Sequence, residues 1–275
     1  MPFAFGTIYH YYFSMKFYVT GLAILAVIAF IVLGASVSRA QNAPSLPVQA
    51  GVPISSMLPA SPRPTSAELF ASLKKQTLPP AGRSAEDGTA LIPWNFGTPV
   101  DLSRKDQLEY AILAGGCFWC LEAVFELVPG VKDVISGYSG GQVLQPSYHS
   151  VSTGTTGHAE AVLILYDPKE ISYSDLLEIF WHIHDPTTKD RQGYDIGPQY
   201  RSAIFWLDDA QKKDALASIA AQQAFWPSPI VTEVRHAEAF WPAEEYHQDF
   251  YRSNPEYGYC QVIITPKVEK VFGIE

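Results

Sequence analysis

Hydrophobic and polar positions divide the chain into three stretches. The first centres on an unbroken apolar run from Leu22 to Leu33, with no charge between Lys16 and Arg39. Its length lies between the roughly 7–15 residues of an export-signal core and the roughly 20 of a membrane helix. No amphipathic period marks it as a buried core helix. The second stretch, residues 41–106, holds ten prolines among many Ser, Ala and Thr residues. That composition predicts a semi-rigid, extended spacer. Only Glu68–Gln76 has helical character there, and the segment around Pro93–Phe96 is expected to pack on the domain that follows.

From residue 107 the periods change. Glu109–Ala114 predicts a short buried strand, broken by Gly115-Gly116. Phe118, Leu121, Phe125 and Val128 share one helical face, and Pro129-Gly130 stops that helix. Val131–Tyr138 and His158–Tyr166 read as strands, ended by Gly140-Gly141 and Asp167-Pro168. Ser172-Tyr173-Ser174-Asp175 resembles a capping box opening a helix over Leu176–His184. Tyr200–Leu207 is a further strand, Asp209–Phe225 a long helix capped by Asp208, and Ile230–His236 a last strand. The order β-α-β, β-α-β, then α-β predicts an α+β fold: a two-layer, ferredoxin-like split βαβ core with an added helix–strand pair. After Ala243-Glu244-Glu245 a short helix and a long irregular C-terminal tail are expected.

This gives three parts: a signal peptide or membrane anchor over 1–40, a Pro-rich linker over 41–106, and a catalytic domain over 107–275. Met15-Lys16 reads as a start with a basic n-region, and Ser38-Arg39-Ala40 offers the small residues a signal peptidase reads. Cleavage after Ala40 would release a soluble protein, and retention of residues 17–38 would anchor it. Either places the domain outside the cytoplasm, in the periplasm or its equivalent. Charge sharpens the division. Residues 1–106 carry a net +3, and residues 107–275 a net −12. An acidic domain excludes nucleic acid as its main partner. All three cysteines, Cys117, Cys120 and Cys260, lie in that domain, too few for a disulfide scaffold.

The candidate chemistry begins at Gly115-Gly116-Cys117-Phe118-Trp119-Cys120. A strand delivers the chain to a glycine turn, and a helix starts at Cys117. Free N–H groups and the positive end of the helix dipole favour a thiolate there, so a lowered pKa is expected. The alternative is a small buried hydrophobe, the fate of most free cysteines. Cys117 and Cys120 form a C-x-x-C pair. A zinc site would need two further ligands, and no second paired motif supplies them. A thioredoxin-type redox pair is mechanically possible, though Phe118 and Trp119 replace the small or Pro residues such motifs carry. Glu160 opens a strand that is otherwise apolar, so partial desolvation would make it an acid. Tyr148 and Tyr200 are possible hydroxyl donors among fifteen tyrosines. The i, i+2 spacing of His182 and His184 turns the rings apart on a helix, a structural pattern rather than a ligand pair.

The segments Gly-Gly-Cys-Phe-Trp-Cys, Gly137-Tyr138-Ser139-Gly140-Gly141, Pro146-Ser147-Tyr148, Thr156-Gly157-His158-Ala159-Glu160-Ala161-Val162, His184-Asp185-Pro186-Thr187, Gln199-Tyr200-Arg201-Ser202-Ala203-Ile204 and Glu245-Tyr246-His247-Gln248 follow one another in order. Together they resemble the peptide-methionine (S)-S-oxide reductases, the A-type methionine sulfoxide reductases, over about residues 108–270. The resemblance implies a ferredoxin-like core and reduction of the S epimer of methionine sulfoxide, free or in proteins, with no cofactor and no metal. It implies Cys117 as nucleophile and Phe118 and Trp119 as walls of a methyl pocket. Glu160 would be the acid at the sulfoxide oxygen, Tyr148 and Tyr200 its hydrogen-bond donors, and Asp195 a supporting carboxylate. Cys260, in Gly258-Tyr259-Cys260, looks like the resolving thiol, and thioredoxin or a membrane-linked dithiol would reset the enzyme. Cys120 stands where many members carry Gly, which gives a second resolving candidate. Cys260 is favoured because its tail could swing in, with relay between the two thiols open.

Two rival readings remain at this stage. One is an envelope thiol–disulfide oxidoreductase using Cys117 and Cys120, and it predicts indifference to Glu160→Gln. The other is a membrane-tethered binding module in which Cys117 is buried and inert. Nothing in the sequence suggests an obligate assembly, so a monomer is expected.

Overall fold

The computed structural model describes residues 66–74, 95–103 and 107–273. The expected signal or anchor over 1–40 lies outside them, as does most of the 41–106 spacer. Within that spacer, Ser66–Leu73 forms a helix, α1, and its Leu73 is buried. Asn95 and Thr98 form an isolated bridge, and the Val100 N–H donates to the Phe240 carbonyl at 2.9 Å. Both pieces of the spacer therefore pack on the domain.

The domain proper opens with β1 (Glu109–Gly115), α2 (Phe118–Phe125), β2 (Val131–Ser139), the short α3 (Tyr148–Ser152) and β3 (Ala159–Tyr166). Then follow α4 (Tyr173–Ile183), a two-stranded hairpin of β4 (Arg191–Gln192) and β5 (Asp195–Ile196), β6 (Ser202–Trp206), α5 (Asp209–Gln222), β7 (Glu233–His236) and β8 (Phe240–Pro242). The main sheet runs β7-β6-β1-β3-β2-β8. Its inner four strands, β6-β1-β3-β2, are antiparallel neighbours. That is the split βαβ order read from the sequence, with β7 added parallel to β6 and β8 added antiparallel to β2.

Strand β3 is buried along its whole length, because both faces of the sheet are covered. Val162, Ile164 and Tyr166 face the helices, and Ala161, Leu163 and Leu165 join the core on the other face, as the two-residue strand period requires. The expected caps are present. Ser172 Oγ accepts from the Asp175 N–H at 3.2 Å while Asp175 accepts from the Ser172 N–H, and Asp208 accepts from the Gln211 N–H at 2.9 Å.

The tail expected to be irregular is largely helical. It contains α6 (Phe250–Ser253), a π-helical turn over Cys260–Ile264 and α7 (Thr265–Phe272), which docks on α1, α2 and α4. Val268, Val271 and Phe272 repeat at helical spacing and are buried, a pattern masked by the polar Thr265, Lys267, Glu269 and Lys270 between them. Four further elements escaped the sequence reading, α3, β4, β5 and β8, because each is too short for a period to register. Ahead of α6, Gln248 bolts the chain to β2. Its Oε1 accepts the Ser136 N–H at 3.0 Å, and its Nε2 donates to the Ser136 and Ala243 carbonyls. Replacing Gln248→Ala strands the Ser136 N–H in the interior and is expected to cost about 1–3 kcal/mol, read as a lower urea midpoint at unchanged slope.

Candidate active site

The site forms where β1 gives way to α2. Gly116 takes φ +100, a conformation side chains rarely adopt, and a Cβ there would run into the Gln192 side chain. This turn sets Cys117 as the N-cap of α2, with the residue 7% exposed. Register brings the carboxylate to the same place. Leu113 pairs with Val162, so Glu160, two residues on, lies beside Gly115 and shares the helix-facing side of β3 with Val162. There its Oε2 accepts the Phe118 N–H at 3.1 Å, one of the donors a helix N-terminus leaves open.

Glu160 is 2% exposed. Burial pushes its carboxyl up to about 8, and the nearby Asp195 and Cys120 charges push the same way. The Phe118 N–H opposes them without prevailing. The acid is therefore neutral at pH 7, as desolvation at the strand end predicts. Tyr148, at the start of α3, and Tyr200, in the turn after β5, both sense the charges of Glu160 and Cys117. Burial first, and those charges second, hold both hydroxyls above the ordinary tyrosine range.

The expectation of a lowered Cys117 pKa is not met. Burial raises it well above the ordinary thiol value, an interaction with Cys120 raises it further, and the Glu160 charge adds to the rise. Helix-end dipole and open N–H groups are outweighed by loss of water. The lowered thiol is Cys120, brought to about 7 mainly by its hydrogen bond from Cys117, with Lys267 and Tyr259 contributing. Burial thus holds the Cys117 thiol up while the Cys120 thiol comes down.

Phe118 is 1% exposed, while Trp119 is half-buried and stacked on Phe250 at 3.7 Å and 7°. Asp195 accepts from the Tyr259 O–H at 2.7 Å, and Tyr259 also lies 4.0 Å from Cys120 Sγ. Cys260, next in the chain, is fully buried and senses the charge of Cys120. All three cysteines are free thiols. Contacts and shared charges thus link Cys117, Cys120, Cys260, Glu160, Tyr148, Tyr200, Asp195, Phe118 and Trp119. The structure adds others that sequence reasoning missed. Glu244 accepts both the Tyr138 O–H at 3.0 Å and the Tyr148 N–H at 2.9 Å. Tyr259 is a second, and its place beside Cys260 was the available signal. His184 is structural, as expected: its Nδ1 meets the Phe180 carbonyl and its Nε2 the Ser202 hydroxyl. Among the described residues no cluster of His, Cys, Asp or Glu could hold a metal ion.

Fold and site define a thiol enzyme in which a buried cysteine pair meets a neutral carboxylic acid beside an aromatic wall. The family model for peptide methionine sulfoxide reductase matches residues 109–273, and the chain belongs to that family. It is similar to peptide methionine sulfoxide reductase MsrA of Leptospira borgpetersenii, 53% identical over 163 residues, which are 59% of this chain and 93% of the relative. MsrA of Thermus thermophilus is 50% identical over 162 residues, 59% of this chain and 92% of the relative. Among solved structures, reduced Mxr1 from Saccharomyces cerevisiae matches with a TM-score of 0.55 and 34% identity, covering 57% of this chain and 92% of that one. Methionine sulfoxide reductase A of Corynebacterium diphtheriae matches with a TM-score of 0.52 and 30% identity, covering 65% and 84%.

Glu160 keeps its proton in the fold far above the roughly pH 4 at which an unfolded chain releases it. Its contribution to stability is therefore full below pH 4 and is lost as the pH rises through about 8. Glu160→Gln removes this slope. The variant is expected to match the wild type in urea unfolding at pH 4 and to exceed it at pH 9. Equal pH slopes in the two proteins would contradict a neutral buried acid.

Proposed function

We propose that this protein reduces the S epimer of methionine sulfoxide to methionine, acting on oxidised proteins and on the free amino acid. The observation that carries the reading is the neutral Glu160 held on the Phe118 N–H directly beside Cys117. A sulfoxide oxygen leaves sulfur only once protonated. Glu160 gives it a proton while the Tyr148 and Tyr200 hydroxyls hold the oxygen. Cys117 sulfur attacks the substrate sulfur as the protonated oxygen leaves as water, forming a transient S–S bond, and water then attacks Cys117 sulfur and displaces the methionine thioether, leaving a sulfenic acid on Cys117. Substrate sulfur gains two electrons and Cys117 sulfur loses two. The proton leaving the Cys117 thiol makes good the one Glu160 gave, with Cys120 beside it to accept and pass it on. Phe118 and Trp119 receive the methyl group, so only one epimer presents oxygen to Glu160 and sulfur to Cys117 together.

Resolution begins at Cys120. Its place one turn from Cys117 on α2 and its lowered pKa support this order over direct attack by Cys260. Cys120 thiolate attacks the sulfenic sulfur, water leaves, and a Cys117–Cys120 disulfide forms. Cys260 then attacks Cys120, which frees Cys117 and moves the disulfide toward the tail. The π turn that starts at Cys260 is the kind of irregular helix that rearranges at functional sites, which supports a moving tail. A thioredoxin-type dithiol, soluble or membrane-linked, completes the cycle. The neutral acid disfavours a general disulfide oxidoreductase, which has no use for one. The charge-free apolar run before Ser38-Arg39-Ala40 supports export to the periplasm.

With each epimer of a methionine sulfoxide peptide and dithiothreitol, only the S epimer should be consumed, and Cys117→Ser should abolish the reaction. Glu160→Gln should slow the first turnover about 10²–10⁴-fold. The wild-type first turnover should fall above about pH 8 as Glu160 loses its proton. Cys260→Ser should reduce one equivalent and trap a Cys117–Cys120 disulfide visible by peptide mass mapping. A persistent sulfenic acid in that variant would return the resolving role to Cys260. N-terminal sequencing of the membrane-free fraction decides cleavage after Ala40.

A further inference from the structure

The Glu245–His247 turn carries a residue that the reaction above does not use. His247 is 1% exposed, and neither ring nitrogen has a hydrogen-bond partner among the described residues. Its ring lies 5.0 Å from the Phe118 ring, 5.5 Å from Trp119, 4.5 Å from Tyr148 and 4.2 Å from Tyr246. Three of these four rings belong to the proposed methyl pocket and oxygen site, and they come from two different elements, α2 and α3. Burial pushes the imidazole down to about 4, against the opposing pull of Glu244, so the ring is neutral at pH 7. A buried imidazole with both nitrogens unpartnered costs free energy that a purely apolar side chain would not. Its place is one of ring packing: it lies against four aromatic rings and makes no hydrogen bond.

The backbone around His247 is fixed independently of the substrate. Glu244 ties the turn to Tyr138 and to the start of α3, and Gln248 ties it to Ser136. The ring is thus presented from a rigid base into the space behind Phe118, Trp119 and Tyr148. We propose that His247 is a positioning residue that sets the width of the S-alkyl pocket, so that the enzyme selects a methyl over a larger alkyl group on the sulfoxide. The inference rests on the sulfoxide reductase reading. It assigns to His247 no contact with the reacting atoms.

The test compares the S epimers of N-acetylmethionine sulfoxide and N-acetylethionine sulfoxide, which differ by one methylene on sulfur. Full-length wild type, His247→Ala, His247→Asn and His247→Phe are assayed for kcat/KM with dithiothreitol as reductant. His247→Ala should move the ethyl-to-methyl ratio toward ethyl by about tenfold or more, the discrimination one methylene commonly carries. His247→Asn should fall between Ala and wild type, and His247→Phe should match the wild type or lower the ratio further. A residue that only supports the fold would lower both kcat/KM values together and leave the ratio where it was. The asparagine variant decides the matter if the alanine variant does not fold. A working wild type whose ratio is unmoved in the folded variants overturns the role of His247 alone. A wild type inert toward both sulfoxides overturns the reading on which it rests.

Discussion

The site depends on one hydrogen bond, from the Phe118 N–H to Glu160 Oε2, made 42 residues apart in the chain and inside the core. It joins the first turn of α2 to the first residues of β3, which puts the nucleophile and the acid on one point. Ordinarily a helix N-terminus stabilises a carboxylate and lowers its pKa. Here desolvation is the larger effect, so the same hydrogen bond positions the acid without ionising it. The N-terminus is thereby used for geometry, and the proton remains available.

The same competition decides the thiols. Position at a helix start argued for a low pKa at Cys117, and position is what a sequence shows. Burial argued the other way and won, because the residue is almost wholly withdrawn from water. The proton deficit moved one turn along the helix to Cys120. Two thiols one helical turn apart, one raised and the other lowered to about 7, put a resolving candidate beside the nucleophile when the sulfenic acid appears. The extra cysteine in the Cys117-x-x-Cys120 pair therefore alters the electrostatics of the nucleophile as well as the choice of resolving thiol.

Much of this was legible in the sequence, for physical reasons that also mark where legibility ends. The split βαβ order followed from strand and helix periods long enough to register, together with the capping residues Ser172 and Asp208. One charged residue opening an otherwise apolar strand made Glu160 a candidate acid, but a surface carboxylate is the commoner fate of such a residue, and the family resemblance selected it. Tyr148 and Tyr200 could be singled out from thirteen other tyrosines only by their resemblance to known motifs, since any tyrosine packs equally well by composition. Glu244, Gln248 and Tyr259 act through long-range hydrogen bonds that leave no local period. The helical tail was missed because half its surface is polar, and its buried stripe of Val268, Val271 and Phe272 makes sense only against α1, α2 and α4.

The account stands on a carboxylic acid that is uncharged at neutral pH, and the direct measurement is the ionisation of that one group. Carbon-13 NMR of protein labelled at the glutamate side-chain carboxyl, with Glu160→Gln to assign the resonance, would follow Glu160 from pH 5 to pH 10. The account predicts a protonated carboxyl at pH 7 that titrates near 8. A Glu160 resonance already in the carboxylate position at pH 6 would contradict it.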